Sequence, residues 1–206
     1  MQNAQWSIDN LLRYCHRRRY SPRTGILNAG DSPDTLYYIT EGSVSVVIED
    51  ESGHDIVLAY LNAGQFFGEL GLFGHESVRS AWVRTRTHCE LAEISYSRFL
   101  RVAKEDPDIV FFLASQMADR LRRTSRKVGD LAFLDVTGRV ARALLDLTRE
   151  PDAMTHPDGM QVRITRQELG RIVGCSREMV GRVLKDLEER ALISVSGKTM
   201  VVFDRS

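Results

Sequence analysis

Between about residue 25 and residue 96, short apolar and β-branched stretches alternate with glycine-centred turns. The turn glycines are Gly30, Gly42, Gly53 and Gly64, which lie 12, 11 and 11 residues apart. Short strands with turn signals at this spacing are typical of an antiparallel barrel, roll or sandwich. The pattern therefore predicts an all-β first domain with flanking helices, and its expected strands are residues 35–39, 44–48, 56–61, 81–83 and 89–94.

The period of the apolar residues changes at Asp106-Pro107. Asp106 is a suitable N-cap, Pro107 suits the first helical position, and the spacing beyond them predicts a helix of about 25 residues with a narrow apolar seam. Thr124 interrupts that seam, so it either sets the register or marks a ligand that the seam touches. We expect two copies to pair in a two-fold dimer, and packing on the chain's own β-domain is the alternative. The seam residues are Val110, Leu113, Met117, Leu121, Val128 and Leu131.

The C-terminal third carries the signals of a winged helix-turn-helix. Thr165-Arg166-Gln167-Glu168 is a capping box that opens a helix, Gly174 ends that helix, and Ser176 can cap the next one. Residues 192–203 follow the pattern strand, turn, strand, which suits a wing, and residues 151–159 form a loop rich in Pro, Asp and Gly. We expect three segments: residues 1–106, a helix and hinge at 107–134, and a DNA-binding domain at 135–206.

The helix after Ser176 separates an apolar face from a basic one, which is what a recognition helix in the major groove requires. We expect Arg177, Glu178 and Arg182 to read bases, while Lys185 and Arg166 contact phosphate. A plain amphipathic surface helix is the alternative, which the capping box, the glycine turn and the hairpin make weaker. The predicted DNA-binding residues are Thr165, Arg166, Gln167, Ser176, Arg177, Glu178, Met179, Gly181, Arg182 and Lys185.

A second candidate site lies in the β-domain, where glycines at 64, 68 and 71 precede Arg79-Ser80. Closely spaced glycines expose backbone N–H groups, and an arginine adds a bidentate phosphate clamp. The carboxylate of Glu69 suits a ligand that also offers a sugar hydroxyl, as a 3′,5′-cyclic nucleotide does through its 2′-OH. Ordinary turn glycines are the alternative explanation of the same spacing.

Composition and charge narrow the class of protein. The 206 residues include 28 basic and 28 acidic side chains, and 43% are hydrophobic, which is enough for a core without disulfides or metals. Residues 31–76 hold nine acids and no Lys or Arg, whereas residues 163–185 hold six bases and two acids, so one part of the chain suits a polyanion. We expect a cytoplasmic protein because neither a signal peptide nor a membrane span is visible. The three cysteines lack metal or disulfide spacing, and we expect no metal.

Several segments together resemble the cyclic AMP receptor protein (CRP/FNR) family of transcription regulators. They are GQFFGELGLF (64–73) followed by VRSAWVR (78–84), LAFLDVTGR (131–139), PDAMTHPDGMQ (151–161) and ITRQELGRIVGCSRE (164–178). The likeness runs from about Leu36 to the C-terminus. It implies an α+β chain with an N-terminal β-roll (a double-stranded β-helix that binds a cyclic nucleotide), a long dimerisation helix and a C-terminal winged helix-turn-helix.

The resemblance also implies roles for particular residues. Gly68, Glu69, Leu70, Arg79 and Ser80 would hold the ribose and cyclic phosphate of cyclic AMP. Thr124 and Ser125 would contact adenine, one from each subunit, which explains the break in the seam. RNA polymerase would be contacted by two sets: Ala153, Met154, Thr155, His156, Pro157, Asp158 and Gly159, and separately His16, Arg18 and Arg98.

A few positions depart from the best-known member of the family. Met179 stands where that protein has Thr and a phosphate contact. Arg18 replaces a histidine and keeps the positive charge of its surface. Glu49-Asp50-Glu51 replaces a loop of mixed charge that would make a third polymerase contact.

We therefore expect a homodimer that is activated by cyclic AMP, binds palindromic double-stranded DNA and contacts RNA polymerase. A regulator of the same fold that responds to cyclic GMP, to cyclic di-GMP or to no ligand is the main alternative. An enzyme on the same roll is disfavoured, because His16, His54, His75, His88 and His156 show no metal-ligand spacing.

Overall fold

The structure is a computed structural model that describes residues 2–74 and 78–204. The chain divides between Thr124 and Ser125 into two units, which we describe separately. The elements of the first unit have these bounds: α1 (Gln2–Leu12), β1 (His16–Tyr20), β2 (Gly25–Leu27), β3 (Thr35–Glu41), β4 (Ser43–Glu49), β5 (Asp55–Asn62), β6 (Phe66–Phe67), α2 (Leu70–Phe73), β7 (Trp82–Thr85), β8 (Cys89–Ser95), α3 (Tyr96–Glu105) and the start of α4 (Asp108–Phe133).

Two antiparallel sheets enclose the core of the first unit. Their strand orders are β1-β8-β3-β6 and β2-β7-β4-β5. Helices α1, α3 and α4 add a second apolar cluster against the first sheet, which includes Leu11, Leu36, Phe66, Phe99 and Leu113. This arrangement confirms the predicted β-roll with flanking helices. The cluster that both sheets share consists of Leu27, Ile39, Val44, Leu61, Phe67, Val83, Cys89 and Leu91.

The glycine turns hold the strands in the predicted places. Gly30, Gly42, Gly53 and Gly64 have φ values of 92°, 86°, 80° and 89°, a backbone region in which a side chain is disfavoured. At Gly42 a Cβ atom would also lie 2.2 Å from the carbonyl oxygen of His88. Each expected strand lies within or overlaps one of the strands β3, β4, β5, β7 and β8.

Helix α4 carries two different apolar faces. Ile109 and Leu113 are buried in the core of the first unit, and Val110 and Met117 pack against the same cluster. The first half of the predicted seam therefore packs on the chain's own β-domain, the alternative considered above. A narrower apolar stripe remains exposed.

The exposed stripe follows the spacing 3, 4, 3, 4, 3 of a coiled-coil seam. Three large side chains in it are mostly exposed: Phe111 (75%), Leu121 (68%) and Val128 (61%). Ser125 occupies the polar position of this stripe, and Thr124 lies beside it, so the seam register inferred from the sequence shifts by one residue in its first half. The stripe consists of Phe111, Ala114, Ala118, Leu121, Ser125 and Val128.

The second unit is a small helical bundle with a four-stranded sheet of order β11-β12-β10-β9. The carboxylate of Asp135 caps α5 by accepting the N–H of Gly138 at 2.7 Å. Most of the segment 151–159, which was expected as a loop, belongs to a hairpin instead, because β9 pairs with β10 and β10 pairs with β12 of the wing. Its elements are α5 (Val136–Leu147), β9 (Met154–His156), β10 (Gly159–Arg163), α6 (Arg166–Val173), α7 (Arg177–Glu189), β11 (Ile193–Ser196) and β12 (Thr199–Phe203).

Candidate ligand and nucleic-acid sites

Arg79 is buried beside the glycine-rich segment although it carries a charge. Only 8% of the residue is exposed. Its Nη1 donates to the carbonyl oxygen of Gly68 (2.8 Å) and to the hydroxyl of Tyr96 (2.9 Å), and its Nη2 donates to the carbonyl oxygen of Thr35 (2.7 Å). These bonds use three of the five N–H donors of the guanidinium, so the two remaining N–H groups can donate to an anion.

Tyr96 joins Arg79 to the glycine turn. Its hydroxyl donates to the carbonyl oxygen of Gly68 at 2.5 Å while it accepts from Arg79. Burial raises the pKa of the Tyr96 phenol, and the nearby Arg79 charge lowers it in part. The phenol therefore keeps its proton at neutral pH and acts as a donor to Gly68.

Glu69 is also buried and is paired with a cation from helix α4. Its Oε1 accepts from Nη1 of Arg120 at 2.6 Å, and the side chains are 5% and 24% exposed. The other end of the same guanidinium, Nη2, donates to the carbonyl oxygen of Phe66 at 2.6 Å. Arg120 thus balances a carboxylate that would otherwise repel an anionic ligand.

The backbone at Gly68 suits a bound phosphate. Gly68 has a φ of 79° and Glu69 follows in the right-handed helical region, an alternation that turns successive N–H groups into an anion-binding concavity. A Cβ on Gly68 would lie 3.0 Å from Nη1 of Arg79 and 3.1 Å from the Thr35 oxygen. Leu70 and Ser80 are exposed next to this turn. These residues fit a ligand that combines a phosphate with a hydroxyl.

The helix-turn-helix has the predicted caps. The hydroxyl of Thr165 accepts the N–H of Glu168 at 3.0 Å, and the hydroxyl of Ser176 accepts the N–H of Met179 at 3.2 Å. Gly174 is left-handed, with φ 69° and ψ 49°. Because Met179 contributes its backbone to the cap, the replacement of Thr by Met leaves the start of α7 intact.

Helix α7 buries its apolar face and exposes its basic one. Val180, Val183, Leu184 and Leu187 are buried in the second unit. On the other side, Arg177, Glu178, Arg182 and Lys185 are exposed, as are Arg166 and Gln167 at the start of α6 and the capping residue Ser176. Met179 and Gly181 are half-buried at the border of the exposed face, and so is Thr165, whose hydroxyl is used in its cap.

The residues expected to contact polymerase form two sets in the structure. Residues 153–159 form the β9–β10 hairpin, in which His156 pairs with Gly159 and lies 3.6 Å from the carboxylate of Asp158. His16 and Arg18 are exposed on edge strand β1, and the guanidinium of Arg98 on α3 lies 5.7 Å from the ring centre of Tyr14. The two sets belong to different units.

Sequence reasoning missed three residues at the ligand site, namely Tyr96, Arg120 and Gln116. Arg120 and Gln116 are polar residues four apart on the face of α4 that also carries the buried Leu113. Polar side chains on the inward face of an amphipathic helix were the available signal.

Within residues 2–74 and 78–204, no cluster of His, Cys, Asp and Glu could hold a metal ion. His75 and Glu76 lie outside that range. None of the helices in the described part of the chain is long and apolar enough to cross a membrane.

A cyclic-nucleotide-type roll followed by a winged helix-turn-helix defines the class of the protein as a DNA-binding transcription regulator rather than an enzyme. The family model "Cyclic nucleotide-binding domain" matches residues 17–106, and the model "Crp-like helix-turn-helix domain" matches residues 138–206. The chain belongs to the CRP family of transcription regulators. This confirms the resemblance, the α+β fold class and the expectation of a regulator.

Named relatives cover nearly the whole chain. The cAMP-activated global transcriptional regulator Vfr of Pseudomonas aeruginosa is 64% identical over 199 residues, which is 95% of this chain and 93% of Vfr. The cAMP-activated global transcriptional regulator CRP of Salmonella typhimurium is 57% identical over 197 residues, 96% of this chain and 94% of CRP. The solved structure of the c-di-GMP responsive global regulator CLP of Xanthomonas campestris matches with a TM-score of 0.91 and 47% identity, over 98% of this chain and 100% of that one.

Proposed function

We propose that the chain is a homodimeric transcription regulator that cyclic AMP switches to a state with high affinity for palindromic DNA. The observation that carries this proposal is that a buried guanidinium and a buried carboxylate occur at one turn: Arg79 donates to the Gly68 oxygen, and Glu69 is the next residue. The guanidinium can bind a phosphate, and the carboxylate can accept a hydrogen bond from a ribose hydroxyl. The relatives described as cAMP-activated support the same ligand.

In this proposal the residues at and near the glycine turn bind different parts of cyclic AMP. Arg79 uses its remaining N–H donors on the cyclic phosphate, and Ser80 and the N–H groups after Gly68 add hydrogen bonds. Glu69 accepts a hydrogen bond from the 2′-OH, and Arg120 holds the carboxylate in place. Leu70 lies beside the sugar. No metal takes part.

Thr124 and Ser125 contact the base from different subunits. Ser125 belongs to the exposed apolar stripe of α4, so in a paired helix it faces the partner, while Thr124 lies between that stripe and the face that packs on its own β-domain. Pairing of the stripe would bury Phe111, Leu121 and Val128, which are mostly exposed in the single chain.

The DNA-binding domain, residues 135–206, reads DNA through α7. Arg177 and Arg182 bind guanine edges, Glu178 accepts from cytosine, and Arg166 and Lys185 contact phosphates. Thr165, Gln167, Ser176, Met179 and Gly181 shape the same surface. A two-fold dimer would place its two recognition helices in successive major grooves, about 34 Å apart.

The hinge segment, residues 107–134, links the ligand domain, residues 1–106, to the DNA-binding domain. The ligand must bind the active state more tightly than the inactive one. A shift from 1:99 to 99:1 requires about 5.5 kcal/mol of differential affinity, which two buried charge-assisted sites can supply. RNA polymerase is contacted by the β9–β10 hairpin and by the His16, Arg18 and Arg98 surface, and the protein acts in the cytoplasm, where transcription takes place.

The test is a fluorescence-anisotropy titration of a labelled palindromic duplex at fixed salt, without ligand and then with cyclic AMP, cyclic GMP or cyclic di-GMP. Tighter binding with cyclic AMP alone is the expected result. Arg79→Gln is the matched variant: it keeps hydrogen-bonding capacity but loses the charge, and it should remove the response without changing DNA binding in the absence of ligand. Binding that is tight and indifferent to all three ligands would refute the switch and leave the DNA-binding function.

A regulator that responds to cyclic di-GMP is the second candidate, which the similarity to CLP favours. CLP is described as c-di-GMP responsive, and its structure is similar to this chain over its full length. The same titration distinguishes the two candidates, since cyclic di-GMP would then change DNA affinity and cyclic AMP would not.

A further inference from the structure

Strand β6 lies at the open edge of its sheet, and side chains of helix α4 occupy that edge. The sheet order β1-β8-β3-β6 leaves one side of β6 without a neighbouring strand. An open edge exposes backbone N–H and C=O groups that need partners when they are buried. In this unit the partners are Gln116 and Arg120, four residues apart on α4.

Gln116 binds the backbone of the turn before β6 with both ends of its amide. Its Nε2 donates to the carbonyl oxygen of Gly64 at 2.8 Å, and its Oε1 accepts the N–H of Phe66 at 2.9 Å. One side chain therefore supplies the acceptor and the donor that a neighbouring strand would supply. The carbonyl oxygen of Phe66 is bound by Arg120.

The backbone carbonyl of Gln65, the residue between Gly64 and Phe66, faces strand β3 and not α4. The carbonyl oxygen of Gln65 accepts the N–H of Ile39 at 3.0 Å, and the N–H of Gly64 donates to the carbonyl oxygen of Ile39 at 2.8 Å. Residues 64–66 are thus held between β3 and α4. Two residues later the chain reaches Gly68 and Glu69.

We propose that Gln116 is a positioning residue of the ligand site, which fixes the Gly68-Glu69 turn relative to the part of α4 that carries Thr124. This inference rests on the proposed function. Gln116 touches neither Gly68 nor Glu69 in the described contacts; it acts through Phe66 and Phe67. The link matters because the turn and Thr124 must approach the same ligand from different elements.

Glutamine is the side chain that this position requires. It offers one donor and one acceptor on a planar group, while glutamate offers acceptors only and methionine, of similar length, offers neither. Gln116→Met would leave the oxygen of half-buried Gly64 and the N–H of buried Phe66 without these partners. The segment before Gly68 would then be tied to α4 through Arg120 alone.

Gln65→Met is the matched control. The side chain of Gln65 also uses its amide oxygen on a backbone N–H, that of Asn62 at 2.8 Å, but the bond stays within the turn and does not reach α4. The two variants make the same chemical change in adjoining places. Only Gln116→Met removes hydrogen bonds between this segment and α4.

The experiment measures cyclic AMP affinity by calorimetry on the full-length protein, together with urea unfolding of the same samples. Wild type must first bind cyclic AMP. The loss of two hydrogen bonds that hold the site should weaken cyclic AMP binding about tenfold in Gln116→Met, and Gln65→Met should stay within about threefold of wild type. Hydrogen exchange of the Phe66 amide should speed up in the first variant only, while the Ile39 amide stays protected in both.

The outcomes separate the two proposals. If wild type does not bind cyclic AMP, the proposed ligand is wrong. If wild type binds and Gln116→Met is less stable yet binds with unchanged affinity, Gln116 is only structural and the present inference fails. If Gln116→Met does not fold, Gln116→Ala replaces it, because the smaller side chain admits water to the freed backbone groups, and the same affinity criterion applies.

Discussion

Replacement of Arg120 by Met would remove the charge partner of the buried Glu69. The pair is close, at 2.6 Å, and Glu69 is only 5% exposed, so water cannot replace the guanidinium. Breaking a buried ion pair from one side costs about 3 to 5 kcal/mol, and we expect about 3 kcal/mol here because the Arg120 side chain is 24% exposed. The bond to the Phe66 oxygen is lost as well.

The assay is urea unfolding followed by tryptophan fluorescence at fixed protein concentration. The chain has two tryptophans, Trp6 and Trp82, and both lie in the first unit, so the signal reports the unit that contains the ion pair. The control is the double variant Glu69→Gln/Arg120→Met, which lacks both charges of this pair. The double variant should regain most of the free energy of unfolding that Arg120→Met loses, because a buried unpaired charge costs more than a buried neutral amide.

A single variant within about 1 kcal/mol of wild type at pH 8 would refute the reasoning, since it would mean that Glu69 remains solvated or finds another partner. If the double variant is no more stable than the single one, the lost stability comes from side-chain packing and not from the unpaired charge.

Four further predictions follow from other parts of the molecule. Arg177→Ala and Arg182→Ala should each weaken operator binding by about 1 to 3 kcal/mol and relax specificity at one base pair, measured by anisotropy on mutated duplexes; equal losses on all sequences would mean phosphate contacts. Leu121→Glu should give a folded monomer in sedimentation, because this side chain is exposed in the single chain. Arg23→Gly should stabilise the first unit by about 0.5 to 1 kcal/mol in urea, since Arg23 has a φ of 65°. Burial raises the pKa of Cys15 to about 11, so iodoacetamide should modify it at pH 8 about 100 times more slowly than in the unfolded chain.

Strands were predictable where side-chain pattern alone sets the conformation. Strands β3, β4, β5 and β8 are stretches rich in apolar and β-branched residues, and that composition is visible without a structure. Strand β1, with the sequence HRRRY, was missed because it is basic and almost wholly exposed. It is a strand because it pairs along its full length with β8, from His16 opposite Glu93 to Tyr20 opposite Cys89.

The candidate sites were predictable in part for the same reason. Caps at Thr165, Gly174 and Ser176 act over three or four residues, so local sequence suffices to find them. The partner of Glu69 lies 51 residues away on another element, and no local pattern identifies it. The two hydrogen bonds of Gln116 to the backbone of Gly64 and Phe66 also join residues distant in sequence, so no local pattern identifies them either.

The sequence by itself determined the order of the domains, the helix-turn-helix with its caps, and the residue types of a phosphate-and-ribose site. These depend on interactions between near neighbours and on motifs that the family shares. The tertiary structure alone decided which face of α4 is buried, and with it the register of the exposed stripe. Apolar residues recur on both faces of that helix, and burial against the β-sheets is what separates them: Leu113 is 1% exposed, whereas Phe111, two residues earlier, is 75% exposed.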